Sequence, residues 1–377
     1  MGSPQVNRRQ AIATLTTAIA APSLALAANG EPIRVGRSAP LTGMMARISV
    51  SNLDAAAVAI DEFNRQGGHR GRPIELETLD DAFDPKQTVA NTKVLVEQRN
   101  VVALFGYFGT AQVGAVLPYL LEQKTPMITA VTGSPALRQQ LHPYFFTAQA
   151  SYVDELVKIV DNLKNVMSTR IAVVYEDNPF GQQMHPLARQ VIEAKGGTLV
   201  DAQPINPDGS NARAVAEAMA GQSPHATILL SVGPAVVAFV KANKAARGSY
   251  VYTLSLSVGE AAVKALGKDA RGLAVARLTP SPWRSNTPLI RRYQAAMKTA
   301  GMDINYDTLY GYANAQVLIE AIKASGPTPS RASITSGLEG LGKFNLGGME
   351  LSYSPSNHHG TNYVDLAVLT ADGQFLR

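Results

Sequence analysis

The run Val101–Leu137, VVALFGYFGTAQVGAVLPYLLEQKTPMITAVTGSPAL, limits the folds open to this chain more than any other stretch. Val101–Phe105 is a short apolar run of the kind a strand buried on both faces needs. It turns through Gly106-Tyr107-Phe108-Gly109-Thr110 into Ala111–Glu122, an amphipathic helical segment. A second apolar run, Pro126–Thr129, leads to a second polar turn, Ala130–Pro135, with a further helix expected behind it. Strand, small-residue turn and helix, then the same again, is the pattern of a parallel sheet with helices on its faces. Both turns then fall at the carboxyl ends of their strands, along one edge of the sheet. Thr110 brings a hydroxyl to that edge, as does Thr132 or Ser134, beside helix N-termini that favour a small carboxylate. Taken singly, either turn is equally an ordinary capped strand-to-helix junction.

The same alternation runs through the rest of the chain. Ile33–Ala39 and Ile74–Leu79 read as strands; Leu53–Asn64 and the segment from Asp84-Pro85 to about Arg99 read as helices. From Phe145 the pattern starts afresh, with strands at Arg170–Tyr175, Thr198–Ile205, Ala226–Ser231, Tyr250–Thr253 and Gly272–Leu278 separated by helices. Two sets of strand-helix units predict an α/β chain of two doubly wound, Rossmann-like lobes. Crossovers are expected near Phe146-Thr147, at Arg277-Leu278 and near Gly348–Tyr353. The expected first lobe is then residues 28–146 plus 278–348, and the second is 147–277 plus 349–377.

Residues 1–27 carry Arg8-Arg9, no acidic residue, an Ala-rich apolar stretch and Ala25-Leu26-Ala27, the pattern of a cleaved secretory signal. Arg8-Arg9 serves either a twin-arginine export route or a plain basic n-region. The formal charge of +5 includes these two arginines, and no run of Lys/Arg marks a nucleic-acid surface. With no cysteine there is no disulfide, thiolate nucleophile or Cys metal site. No phosphate loop, H-E-x-x-H or G-x-S-x-G occurs, and no nucleophile-base pair can be named. Asp80, Asp81 and Asp84 read as caps more readily than as a cation site. His358-His359 are neighbours in a loop, a poor arrangement for one metal. No cofactor or metal is expected.

Several pieces, weak alone, become specific by their order. They are Ala39-Pro40-Leu41-Thr42-Gly43, Asn64-x-x-Gly67-Gly68-x-x-Gly71-x-Pro73-Ile74, Asp80-Asp81-x-x-Asp84-Pro85, Met127-Ile128-Thr129 with Ser134-Pro135-Ala136-Leu137, and Asp177-x-x-Phe180-Gly181. Together they resemble the type I periplasmic solute-binding proteins of the branched-chain amino-acid kind, which feed ABC importers. The resemblance spans nearly all of the chain after residue 28. It implies a periplasmic protein, expected to be monomeric, that closes two lobes on a small solute and docks on importer membrane subunits, without catalysis. Amide or amino-acid sensor domains share the same two lobes and are the alternative.

The family's ligand positions map one at a time. The hydroxyl after the third strand is Thr110. After the fourth strand, Val131 takes the main-chain position, while the hydroxyl position falls on Gly133, between Thr132 and Ser134. The second lobe offers Tyr152, Ser231-Val232-Gly233 and the end of the Tyr250–Thr253 strand. Arg47, Tyr107, Phe108 and the turn at Asp177 complete the expected lining. Amino-acid-binding members place an acidic residue where this chain has Ser255, and the nearest carboxylate in sequence is Glu260. A buried ammonium without a partner is costly. The expected ligand is therefore a non-amino-acid organic or aromatic acid, or an amide. An ordinary branched-chain amino acid is the alternative, with Glu260 or Asp177 swinging in.

Overall fold

The structure is a computed structural model that describes residues 30–43 and 45–376, the side chains of Arg47, Ile48 and Leu376 excepted. The expected signal segment, residues 1–27, lies outside the described residues.

The first sheet is built from β1 (Ile33–Ala39), β2 (Ile74–Asp80), β3 (Ala103–Phe105), β4 (Met127–Ile128) and β5 (Phe145–Phe146), in the order β2-β1-β3-β4-β5, all parallel. Its helices are α1 (Ala46–Arg65), α2 (Pro85–Lys93, running on into a π turn) and α3 (Thr110–Gln123). The apolar character of β3 follows from its place: Ala103, Leu104 and Phe105 are covered on both sides. One core lies between the sheet and α1, and another lies between the sheet and α2–α3.

The second lobe alternates α4 (Tyr152–Asn165), β6 (Arg170–Glu176), α5 (Pro179–Ala194), β7 (Thr198–Ile205), α6 (Ala212–Gly221), β8 (Ala226–Leu230), α7 (Pro234–Ala245), β9 (Tyr250–Thr253), α8 (Glu260–Leu266) and β10 (Ala274–Arg277). The chain then returns to the first lobe with α9 (Pro288–Ala300), α10 (Tyr306–Ala324), α11 (Arg331–Gly340) and the hairpin β11 (Gly342–Asn345) and β12 (Glu350–Tyr353). It ends in the second sheet with β13 (Asp365–Leu369) and β14 (Phe375–Leu376), giving the order β14-β13-β10-β9-β8-β6-β7. Apolar cores cover both faces of this sheet as well.

Each sheet has one place where its strand order reverses, between β1 and β3 and between β6 and β8. In doubly wound sheets such a place opens a crevice at the strands' carboxyl ends. Here the loop after β3 faces the loops after β6 and β8.

Three expectations are corrected. The turn after β4 leads to a single 3₁₀ turn, Ala136–Arg138, and not to a helix. The segment Gln139–Tyr144 has no apolar spacing to bury, and β5 must follow at once to pair with β4. The edge there therefore has one helix N-terminus, that of α3. Second, the last crossing comes after Tyr353, not at 348/349. The strand β12 pairs with β11, and Leu351 and Tyr353 sit in the first lobe's core. Third, β11 and β14 were not expected; each is too short, with too few apolar residues, to announce itself.

Candidate functional site

A cleft of about 440 Å³ separates the lobes, and the two crevices form its walls. From the first lobe come the start of α3 (Phe108, Thr110, Gln112), Val131 and Thr132 after β4, and Tyr306, Asp307 and Tyr310 on α10. The second lobe supplies Tyr152 on α4, Asn178–Phe180 after β6, Val232 after β8, Ser255 after β9 and Arg277 at the end of β10. The exposed lining is mainly apolar, and it includes the rings of Phe83, Phe108, Tyr152, Phe180, Tyr306 and Tyr310. Polar side chains come from both walls, among them Asn52, Thr110, Thr132, Asn178, Ser255 and Asp307.

The structure thus brings Phe108, Thr110, Val131, Thr132, Tyr152 and Ser255 together on one cavity. The Thr110 and Thr132 hydroxyls are 2.8 Å apart, so a hydroxyl from each turn does meet. Val131 contributes its side chain. Its N–H donates to the Tyr107 carbonyl at 2.7 Å, and its carbonyl accepts from Gly109 N–H, which ties the two turns together.

The other expected residues do other work. Tyr107 is 0% exposed and its hydroxyl meets that of Thr92 at 2.9 Å, so it belongs to the core. Ser134 is buried behind Thr132 and off the cavity. Ser231 donates its hydroxyl to Glu176 at 2.6 Å, bracing the end of β8, and the neighbouring Val232 takes the cavity wall. Gly233 caps α7 and does not line the cleft. Asp177 is exposed and accepts from Gln182. The Arg47 side chain lies outside the described residues. Glu260 accepts from Asn305 at 3.2 Å, linking α8 to the first lobe outside the cleft.

Gly133 has a physical reason for lacking the hydroxyl that the family places there. A Cβ at this position would stand 2.5 Å from the Tyr152 ring, and the Gly133 carbonyl accepts the Tyr152 N–H at 2.8 Å. The tyrosine fills the space a side chain would need. Gly133→Ser should therefore weaken solute binding, not strengthen it, by pushing Tyr152 out of the wall. Equal or tighter binding by the variant in calorimetry would contradict this packing account.

Three charged residues escaped the sequence reading. Glu155 lies one turn into α4, is 0% exposed, and accepts from Ser255 N–H at 2.6 Å and Ser255 Oγ–H at 3.0 Å. Burial pushes its carboxyl up from 4.5 to about 7, against the pull of these bonds and of Arg277. Its one sequence signal is position: it falls on the buried stripe Tyr152, Leu156, Ile159, Val160, Leu163 of its helix. Arg277 is 4% exposed, and burial lowers its pKa. Asp307 has its carboxyl pushed up by burial, with Arg277 and the Glu260 N–H pulling it down.

The aspartates after β2 brace loops. Asp80 accepts from Leu41 and Thr42, Asp81 from Ser38 and Thr88, and Asp84 caps α2. Among the described residues no group of three His, Cys, Asp or Glu is arranged to hold a metal. No helix among them is long and apolar enough to cross a membrane.

Two lobes joined by three crossings, with loop tips meeting over a deep cleft, define a protein that captures a small molecule between domains. Residues 32–374 match the family model for periplasmic binding proteins. The chain belongs to that family: it is a solute-binding protein of the ABC-transporter type and not an enzyme. It is 26% identical over 334 residues to the Leu/Ile/Val-binding protein BraC3 of Rhizobium johnstonii, covering 86% of this chain and 88% of that one. The crystal structure of an extracellular ligand-binding receptor from Verminephrobacter eiseniae superposes with a TM-score of 0.84 at 25% identity, over 92% of this chain and all of the other. A solute-binding protein from R. palustris in complex with 4-hydroxybenzoate has the same fold, with a TM-score of 0.78 and 19% identity over 91% of this chain and 95% of that one.

Proposed function

We propose that the protein is the receptor of an ABC importer for a small carboxylate-bearing solute with an apolar, aromatic or short aliphatic body, and that α-amino acids are not its ligands. The carrying observation is the pairing of the Thr110–Thr132 hydroxyls at the start of α3 with a mainly apolar wall that carries six aromatic rings. Hydroxyls and a helix N-terminus favour a carboxylate, and the aromatic rings favour a flat or branched body over a charged one. The second-lobe position that would pair with an ammonium presents Ser255. The carboxylate behind it, Glu155, already has both oxygens engaged. That the fold serves both a Leu/Ile/Val-binding protein and a holder of 4-hydroxybenzoate leaves the choice to these side chains. Closure follows from the geometry: a solute touching Thr110 and Tyr152 at once stabilises the shut lobes by its differential affinity, and importer subunits read the closed outline.

One observation favours a second reading. Asp307 lines the same cleft and is placed to pair with an ammonium. Calorimetry on ligand-stripped protein separates the two. Binding of benzoate-type or short aliphatic acids without leucine or valine supports the proposal, and tight leucine binding that Asp307→Asn abolishes supports the alternative. In either case Thr110→Ala should weaken binding at least about tenfold, as loss of a hydrogen bond to a charged group does. The melting temperature should stay the same.

A further inference from the structure

The guanidinium of Arg277 sits where the cleft borders a second cavity of about 380 Å³, to which Val258, Trp283 and Phe375 contribute. Tyr306 from the first lobe covers one approach, its ring centre 4.5 Å away, and Phe375 from the second lobe covers another at 4.4 Å. Aromatic faces attract a cation but accept no in-plane N–H bonds as a carboxylate does. Of its five N–H donors, one from a terminal nitrogen goes to the Val258 carbonyl at 3.1 Å, and the Nε–H is buried without a partner. The facing acids act only through space. Asp307 accepts the Glu260 N–H, and Glu155 is engaged by Ser255. Among the described residues Arg277 makes no ion pair. A buried guanidinium left this way is costly unless something else supplies the negative charge. Arg277 lines both the cleft and the second cavity beside it, and its planar fork matches a carboxylate.

We propose that Arg277 is a second anion anchor of the cleft. The solute then carries an acidic group at each end, one at Thr110–Thr132 and one at Arg277, with the apolar body between them. This rests on the non-amino-acid reading above for the nature of the body, but not for the anchor itself.

The test compares terephthalate with benzoate, the same ring bearing two carboxylates or one, by calorimetry on the ligand-stripped protein, with valine and glutamate as a parallel pair. The wild type should bind terephthalate at least about tenfold more tightly than benzoate. Arg277→Gln should bring the terephthalate-to-benzoate affinity ratio down to about one, whereas a purely structural defect would weaken both acids alike and leave the ratio standing. Should the glutamine variant not fold, Arg277→Lys, which keeps the charge and loses the fork, should shrink the preference without abolishing it. A wild type that binds benzoate as tightly as terephthalate, or a preference that survives in Arg277→Gln, overturns the anchor. If only amino acids bind, the proposed solute class falls and the second pair decides. A glutamate-over-valine preference lost in Arg277→Gln sustains the anchor, and any other result overturns it. Binding of none of the four overturns both.

Discussion

Glu155→Gln should make the ligand-free protein more stable at pH 8, by up to about 3 kcal/mol, and by less than about 1 kcal/mol at pH 5. Glu155 is buried beneath Ser255, and burial raises its carboxyl from 4.5 to about 7. Well below pH 4.5 the group is neutral both folded and unfolded, so it adds no pH dependence there. Between 4.5 and about 7 the native state keeps a proton that the unfolded chain has released. Stability therefore falls as pH rises across that window, and above it the whole cost of a buried charge is present. Glutamine holds no charge at any pH. Its carbonyl accepts the Ser255 N–H, and its amide donates to the Ser255 hydroxyl, so both bonds survive in changed polarity. Other titrating groups are shared by both proteins and cancel in the difference. Urea midpoints for the two proteins at pH 5 and pH 8 decide the matter. Curves that run parallel across the range would mean that Glu155 is already ionised at low pH, or that Arg277 offsets its burial in full.

The parts of the site that lie within one strand-turn-helix unit were legible in the sequence. Thr110 and Thr132 were found because small residues after apolar runs mark strand ends, and strand ends in such sheets meet at one edge. Within a turn the resolution fails. Tyr107 and Phe108 are adjacent, and only the Val131–Tyr107 bond and the Thr92 hydroxyl decide that the first turns inward and the second toward the cleft. Ser231 was displaced by one position for a similar reason, since Glu176 on the neighbouring strand claims its hydroxyl. Asp307 and Tyr310 had no local signal at all, and Arg277 had one only as a crossing point between the lobes. They reach the cleft from a crossing strand and from the start of α10, far along the chain from Thr110, and only tertiary packing joins them. The glycine in Asp177-x-x-Phe180-Gly181, by contrast, now has a cause. A Cβ at Gly181 would sit 1.9 Å from the Glu176 carbonyl oxygen, so the residue lets α5 start directly over the end of β6.

The same reasoning gives Gly311→Ala a large effect, about 3 kcal/mol against the first lobe, the upper range for overpacking. The helices α1 and α10 approach backbone to backbone there. An added Cβ would meet the Asn52 carbonyl oxygen at 2.0 Å, its carbonyl carbon at 2.8 Å and its Cα at 3.0 Å. Backbone atoms within a helix do not swing aside as a side-chain tip does, so the two helices must separate. That separation opens the core holding Leu309, Tyr312 and Ala313 against Ala55, Ala56 and Ala59. It also shifts Asn52, Tyr306, Asp307 and Tyr310, which these helices present to the cleft. Solute affinity should therefore fall along with stability. Gly340→Ala provides the contrast, because it makes the same change at the end of α11, where a Cβ meets nothing within 4 Å. There the lost backbone freedom of glycine in the unfolded chain favours the variant, by about 0.5 kcal/mol. Thermal melts of the two variants should move in opposite directions from the wild type. If Gly311→Ala melts with the wild type and binds as well, the close approach of α1 and α10 does not hold the first lobe's half of the site in place.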